Sequence, residues 1–144
     1  MQNNLARLHW DLTEKIIGVY HRAHYEFGDG FLEKLCQRVM VIALRDAGLD
    51  VEEQVPAVIK FRGQTIGECL FDIVVNGVVL VEVKSCARLE PRHRAQVMNY
   101  LRASTLEVGL LFNFGASREF DRVLYTNDRK VTLAEAEAQQ TPNT

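Results

Sequence analysis

Residues 78–84 decide the fold of this chain, and they read VVLVEVK. The run is apolar except for a carboxylate and an ammonium two residues apart, and its β-branched residues favour a buried strand. Because strand side chains alternate, Glu82 and Lys84 share one face while Val81 and Val83 point to the other. Burying opposite charges costs free energy unless they pair or bind something. The run therefore predicts either an ion pair or a binding site.

A second β-branched run, residues 71–75, carries another carboxylate at Asp72. The Asn-Gly dipeptide at 76–77 joins the two runs, and that dipeptide is typical of the tight turn in a β-hairpin. A hairpin closed at this point places Asp72 opposite Val81, within a residue or two of Glu82. The hairpin thus carries three charged groups on an otherwise hydrophobic frame.

The other elements follow from apolar periodicity and from turn residues. In chain order, the predictions are helices over about 12–26 and 31–47, strands over 51–61, 66–75 and 78–84, a helix over 91–103 and a strand over 107–114. Pro91 suits the first position of the third helix. Residues 116–130 are predicted to form a loop with a short extended piece at 123–125. The short turns make the three consecutive strands antiparallel neighbours.

The composition is that of an ordinary globular protein. The 144 residues are 47% hydrophobic and 25% charged, and the formal net charge is −2. This balance gives no global attraction to nucleic acid or to an anionic membrane, so any basic surface must be local. Three widely spaced cysteines without a CxxC favour reduced thiols over disulfides or a zinc site. No apolar stretch reaches the length of a membrane span, and no signal-peptide core is visible. We expect a cytoplasmic protein without a membrane partner.

Three carboxylates and one amine are poorly suited to core packing: Glu33, Asp72, Glu82 and Lys84. Mg²⁺ prefers hard oxygen ligands, usually a few carboxylates together with water and phosphate oxygens. The set therefore predicts a divalent-cation site. A salt-bridged strand pair is the alternative for the two strand carboxylates with Lys84. For Glu33, the alternative is a carboxylate stabilised by the positive end of a helix dipole.

This arrangement resembles the PD-(D/E)XK nuclease superfamily. Its signature is an acidic residue on one strand, Glu-x-Lys on the hairpin partner, a preceding helix bearing Glu and a following helix often bearing Gln-xxx-Tyr. Here these are Asp72, Glu82-Val83-Lys84, Glu33, and Gln96 with Tyr100. The resemblance implies an α/β fold with an αβββαβ core, in which helices flank a central mixed four-stranded sheet, restriction-endonuclease-like, with an extra N-terminal helix. One nuclease-like domain is expected over 1–130, and the small and polar residues near the C-terminus predict a loosely ordered tail over 131–144.

More narrowly, residues 24–33, 96–101 and 109–115 look like the GxxExxY family of small bacterial proteins. Two positions depart from the pattern. Cys36 replaces the tyrosine that names the family, and Phe71 stands where the superfamily name has proline. Neither position is a metal ligand in the superfamily, so the implied chemistry is unaffected.

The resemblance implies hydrolysis of phosphodiester bonds in nucleic acid, with DNA as the expected polymer and Mg²⁺ or Mn²⁺ as the cofactor. The implied metal ligands are Asp72, Glu82, the backbone carbonyl of Val83 and, directly or through water, Glu33. The implied catalytic residues are Asp72, Glu82, Lys84 and Gln96. Lys84 would orient or deprotonate the attacking water, and Gln96 would position that water or a phosphate oxygen. An ordinary end-of-strand lysine and plain helix residues are the alternatives for these two positions.

Residues 84–102 hold five arginine or lysine residues against one acidic residue, which predicts a local phosphate-binding patch. The predicted nucleic-acid contacts are Arg88, Arg92, Arg94 and Tyr100. A solvated helix face is the simpler reading of the same pattern. Two other functions stay open on this fold, namely a catalytically inactive nucleic-acid-binding module and a protein-interaction scaffold. A homodimer also stays open.

Overall fold

The structure is a computed structural model, and it describes residues 7–130. Its elements, in chain order, are helix α1 (Trp10–Phe27), helix α2 (Glu33–Asp46), strands β1 (Val51–Phe61), β2 (Gln64–Val75) and β3 (Val79–Lys84), helix α3 (Pro91–Arg102), and strands β4 (Val108–Asn113) and β5 (Phe120–Leu124). The predicted helices and core strands are all present, with ends displaced by one or two residues at most positions. The predicted C-terminal tail lies outside the described residues.

The end of α1 and the start of α3 lie where the local sequence favours them. Gly28, with a φ of 92°, ends α1, and its N–H donates to the carbonyl of His24 at 2.9 Å. Pro91 opens α3, and the preceding backbone N–H of Glu90 donates to Nδ1 of His93 at 2.9 Å. Within residues 7–130, no helix has both the length and the apolar character needed to cross a membrane.

The five strands form one sheet in the order β1-β2-β3-β4-β5. β1, β2 and β3 pair antiparallel through the two short turns, while β3 and β4 pair parallel. The parallel pair needs a crossover connection, which α3 supplies. β5 returns antiparallel to β4 at the sheet edge.

The sheet separates two apolar cores. On one face, which we call the α1/α2 face, residues such as Val81 and Phe112 pack against the buried residues of α1 and α2. On the other, the α3 face, residues such as Leu80 and Leu111 pack against Val97 and Leu101 of α3. Alternation along β3 therefore assigns its even-numbered residues to the α3 face. That assignment places the charged residues of β3 beneath α3.

Two predictions about the sheet need correction. The sheet has five strands rather than four, because residues predicted to be mostly loop form β5, which pairs Phe112 with Phe120. The hairpin register is also displaced by one residue, since Val81 pairs with Ile73 rather than with Asp72. Continuing this register by one residue brings Asp72 opposite Glu82. The displacement therefore improves the predicted proximity of the two carboxylates.

Candidate metal centre

The site lies where β2 and β3 separate. Their pairing ends at Ile73 and Val81, so the charged residues follow just past the last paired positions. Val83 is buried in the α1/α2 core, and alternation turns Glu82 and Lys84 toward α3. The hydrophobic frame of β3 thus holds one carboxylate and one amine on the same face, as predicted.

Glu82 is a buried acid without a donor. Its side chain is 3% exposed, and Oε1 has no hydrogen-bond partner. Burial raises the pKa of Glu82 from 4.5 to about 7, with repulsion from Asp72 and Glu33 adding to the effect and Lys84 opposing it. An ionised carboxylate in such a position is costly until a cation or donor reaches it.

Asp72 is the second carboxylate of the site, and it is half-buried. Its negative charge acts on Glu82 strongly enough to contribute to the raised pKa of that residue. Oδ1 of Asp72 accepts a hydrogen bond from Nε2 of Gln54 at 3.1 Å. Asp72 therefore faces one amide donor from the neighbouring strand and one like charge from the hairpin partner.

Lys84 is held by α3 rather than by the carboxylates. Its Nζ donates to Oε1 of Gln96 at 3.2 Å, and Nε2 of Gln96 donates to the hydroxyl of Tyr100 at 3.1 Å. The Tyr100 ring also contacts Phe71, with ring centroids 5.1 Å apart. The predicted Gln-xxx-Tyr pair thus forms a chain of two hydrogen bonds that fixes the position of the Lys84 amine.

The ion-pair alternative for this hairpin does not match the geometry. The ion pairs found among residues 7–130 involve other residues, and none joins Lys84 to Asp72 or Glu82 within 4.0 Å. Lys84 lowers the pKa of Glu82, so the amine is near without neutralising the acid. The two carboxylates therefore keep a charge that a bound cation could balance.

Glu33 is near the two strand carboxylates without forming a three-residue metal-binding group with them. It is exposed in the first turn of α2 and lines a cavity of about 480 Å³ together with Lys84 and Gln96. Within residues 7–130, no three His, Cys, Asp or Glu side chains converge as a metal-binding group. The structure thus does not bring Glu33 into a three-carboxylate cluster. A contact through water stays a prediction.

The predicted phosphate patch is partly neutralised by acidic neighbours. Arg92 forms an ion pair with Glu90, and Arg94 forms one with Asp121. Solvent screens such exposed pairs and they contribute little to stability, so a phosphate could replace the carboxylate partner. Arg88 is exposed. Contact of these arginines with nucleic acid stays a prediction, as does that of Tyr100.

Two residues that the motif analysis did not select also shape the site. Gln54 donates to Asp72, and nothing in its spacing indicated that role. Asn113 is fully buried, and its side chain bonds the backbone of Cys86 through both its oxygen, at 3.1 Å, and its nitrogen, at 2.9 Å. The same oxygen accepts from the N–H of Gly115 at 3.0 Å. Asn113 thereby ties together the loops that follow β3 and β4. In the sequence, a polar residue between two phenylalanines was the feature that could have indicated this role.

The residues present fit a divalent cation. Mg²⁺ in nuclease-type sites is bound by one or two carboxylates and completed by water and phosphate oxygens. Asp72 and Glu82 supply the carboxylates, and the partnerless Oε1 of Glu82 is the atom that such an ion would satisfy. Two carboxylates are enough for this mode of binding, so the position of Glu33 does not weaken the fit.

Comparisons with known proteins agree with this architecture. A family model described as the PD-(D/E)XK nuclease superfamily matches residues 10–123. The crystal structure of SSO0001 is similar in fold, with a TM-score of 0.54 and 17% sequence identity over 74% of this chain. The match covers 57% of that protein, so this chain spans little more than half its length. No curated protein matches the chain. The restriction-endonuclease-like fold class is confirmed, whereas the narrower GxxExxY resemblance stays a prediction.

Proposed function

The chain belongs to the PD-(D/E)XK nuclease superfamily, and from that premise we propose that it is a divalent-metal-dependent nuclease that hydrolyses phosphodiester bonds in DNA. The observation that carries the proposal is the buried, partnerless carboxylate of Glu82 beside Asp72. A fold that served only as a scaffold would have no use for this arrangement, because it costs free energy in the absence of a cation.

In this proposal Asp72, Glu82 and the backbone carbonyl of Val83 hold Mg²⁺ or Mn²⁺, and Glu33 reaches the shell through water. Bound there, the ion supplies polarisation of the scissile phosphate and acidification of a water molecule. The two carboxylates orient the ion, and the apolar frame of β3 keeps them in place. Binding of the ion also requires that Glu82 lose its proton.

Lys84 is the proposed general base or orienting group. Its Nζ is fixed by Gln96 at 3.2 Å, so the amine is positioned before substrate arrives. From this place the ammonium can offset the negative charge that develops on the phosphate, and Gln96 can orient the water or a phosphate oxygen. Tyr100 supports Gln96 through the hydrogen bond to its hydroxyl.

The exposed arginines at the start of α3 are the proposed contacts to the DNA backbone. Arg88, Arg92 and Arg94 lie in or just before the helix that carries Gln96, so a strand bound along them passes close to the site. Binding of this kind is dominated by phosphate contacts and weakens as salt concentration rises.

The test is a cleavage assay with matched variants. Purified protein is incubated in Mn²⁺ with end-labelled single-stranded DNA, duplex DNA, branched DNA and RNA. Glu82→Gln and Lys84→Ala are expected to lose cleavage, while Glu68→Gln and Lys15→Ala, both at exposed positions, are expected to keep it. Cleavage that persists in both site variants would come from a contaminant and would refute the proposal.

The same assay separates the other function classes. Salt-dependent binding of nucleic acid without cleavage in Mn²⁺ or Mg²⁺ would identify an inactive binding module. Cleavage of RNA alone would overturn the choice of polymer and leave the metal-dependent chemistry standing. Absence of binding to nucleic acid and to Mn²⁺ would leave only an interaction scaffold.

A further inference from the structure

One residue of β1 has an unusual backbone conformation. Gln54 lies in the middle part of the strand and has a φ of 53°. This left-handed region is disfavoured for residues with a Cβ and is rarely found inside a strand. A non-glycine residue persists there when the surroundings impose it, and such residues cluster at functional sites.

The strand pairing is interrupted at this same residue. β1 and β2 pair Glu53 with Ile73 and Val55 with Phe71, whereas Gln54 and Asp72 form no ladder pair although the register is continuous on both sides. The interruption coincides with a rotation of β2. Ile73 belongs to the α1/α2 core, whereas Phe71, two residues earlier, belongs to the α3 core. Regular alternation would have placed both on one face.

The rotation has a direct consequence for the site. Freed from the ladder, the Gln54 side chain donates from Nε2 to Oδ1 of Asp72 at 3.1 Å. That bond occupies one carboxylate oxygen with a neutral donor that adds no charge. Hydrogen bonds of this kind to metal-binding carboxylates fix their orientation, and their loss lowers metal affinity.

We propose that Gln54 is a positioning residue, whose strained backbone and amide together orient Asp72 for a divalent cation. This inference rests on the proposed function, because it takes Asp72 to be a metal ligand. Gln54 is exposed and fills no core position, so packing does not explain its conformation. Glycine would adopt the same φ without strain, so fold alone gives no reason for glutamine here.

The test measures Mn²⁺ affinity by titration calorimetry together with the melting temperature of the metal-free protein. Gln54→Gly keeps the backbone conformation and removes the amide. Its expected Mn²⁺ dissociation constant is about 10–100-fold higher than that of the wild type, while the metal-free melting temperature stays within a few degrees. Gln54→Asn, which also tolerates the left-handed region but has a shorter side chain, is the second variant, with the same expected loss. Gln64→Gly, on the β1–β2 hairpin that also holds Gln54, is the matched control.

The outcomes separate this inference from the function on which it rests. If Asp72→Ala and Glu82→Gln lose Mn²⁺ binding but both Gln54 variants bind as the wild type does, the role of Gln54 is overturned and the metal site stands. If the wild type binds Mn²⁺ no better than Asp72→Ala does, both are overturned. A loss of affinity in the Gln54 variants that matches a loss in Gln64→Gly would mark a general effect on the hairpin and would also overturn the inference.

Discussion

The burial of Glu82 predicts that Glu82→Gln stabilises the metal-free protein at alkaline pH. The pKa of this carboxyl in the folded protein is about 7, against 4.5 when it is solvated. The folded state therefore binds the proton more tightly than the unfolded state does. The stability that this proton contributes is present below pH 4.5 and is lost as pH rises to about 7. Glutamine has nearly the same shape and never ionises, so it avoids the loss.

The two pKa values give the size of the effect. Their separation corresponds to about 3 kcal/mol of lost stability at pH 8. The N–H groups of the glutamine amide need acceptors that the ionised Glu82 carboxylate did not need, and an unpaired buried N–H costs about 1–3 kcal/mol. We therefore expect the variant to be more stable than the wild type at pH 8 by up to about 2 kcal/mol. That difference raises the melting temperature by up to roughly 8 °C for a chain of this size.

The assay is thermal denaturation followed by circular dichroism in excess EDTA at pH 5 and pH 8. At pH 5 the protonated wild type should equal or exceed the variant in stability, so the order of the two melting temperatures reverses between the two conditions. Glu68→Gln, at an exposed position of β2, should show no reversal. A Glu82→Gln protein that is less stable than the wild type by the same amount at both pH values would refute the reasoning. With Mn²⁺ in place of EDTA, the wild type and Glu68→Gln should both be stabilised, whereas Glu82→Gln should not.

Three further predictions follow from the same geometry. The apparent Mn²⁺ dissociation constant, measured calorimetrically, should decrease about tenfold for each unit by which pH rises toward 7, and it should be constant above pH 7, because Glu82 must lose its proton. A dissociation constant that does not change with pH would exclude Glu82 as a ligand. Lys84→Ala should reduce DNA cleavage by roughly 10²–10⁴-fold and leave Mn²⁺ binding nearly unchanged; a parallel loss of binding would instead indicate a structural role. Gly115→Ala should lower stability in urea denaturation by more than about 2 kcal/mol, because the new Cβ would lie 1.7 Å from the carbonyl oxygen of Cys86. Gly18→Ala, whose Cβ would meet Arg22 at 3.5 Å, should be tolerated.

The core of the fold was accessible from the sequence because its signals are local. The Asn-Gly turn and the flanking β-branched runs specify the hairpin, and an error of one residue in its register reflects a turn that extends to Val78. β5 was accessible only in part for the opposite reason. The predicted extended piece at 123–125 covers the end of this strand, whereas its first three residues include Asp121 and Arg122, and only the distant partner β4 makes them part of a strand.

Some features of the candidate site could be predicted from the sequence and others could not. Glu82 and Lys84 could be placed on one face from alternation alone, whereas Gln96 was selected only through the resemblance to the superfamily motif. The ion-pair alternative could not be decided from sequence, because the choice depends on whether Lys84 contacts Glu82 or Gln96. The structure gives the second contact, at 3.2 Å. Only three-dimensional packing determines which of two nearby partners an amine selects.

Gln54 and Glu82 point to one physical principle for strands β1 to β3. Both positions lower the stability of the metal-free fold, one through a left-handed backbone inside a strand and the other through a buried acid without a donor. Sequence patterns indicate which residues favour the fold, so a charged residue in an apolar run stands out. They contain no signal for an unusual backbone conformation at an exposed glutamine. The two unfavourable features converge on Asp72, from β1 and from β3. A cation bound there would offset the charge repulsion between Asp72 and Glu82, so metal binding should stabilise the fold at the ends of β2 and β3 where these two carboxylates lie.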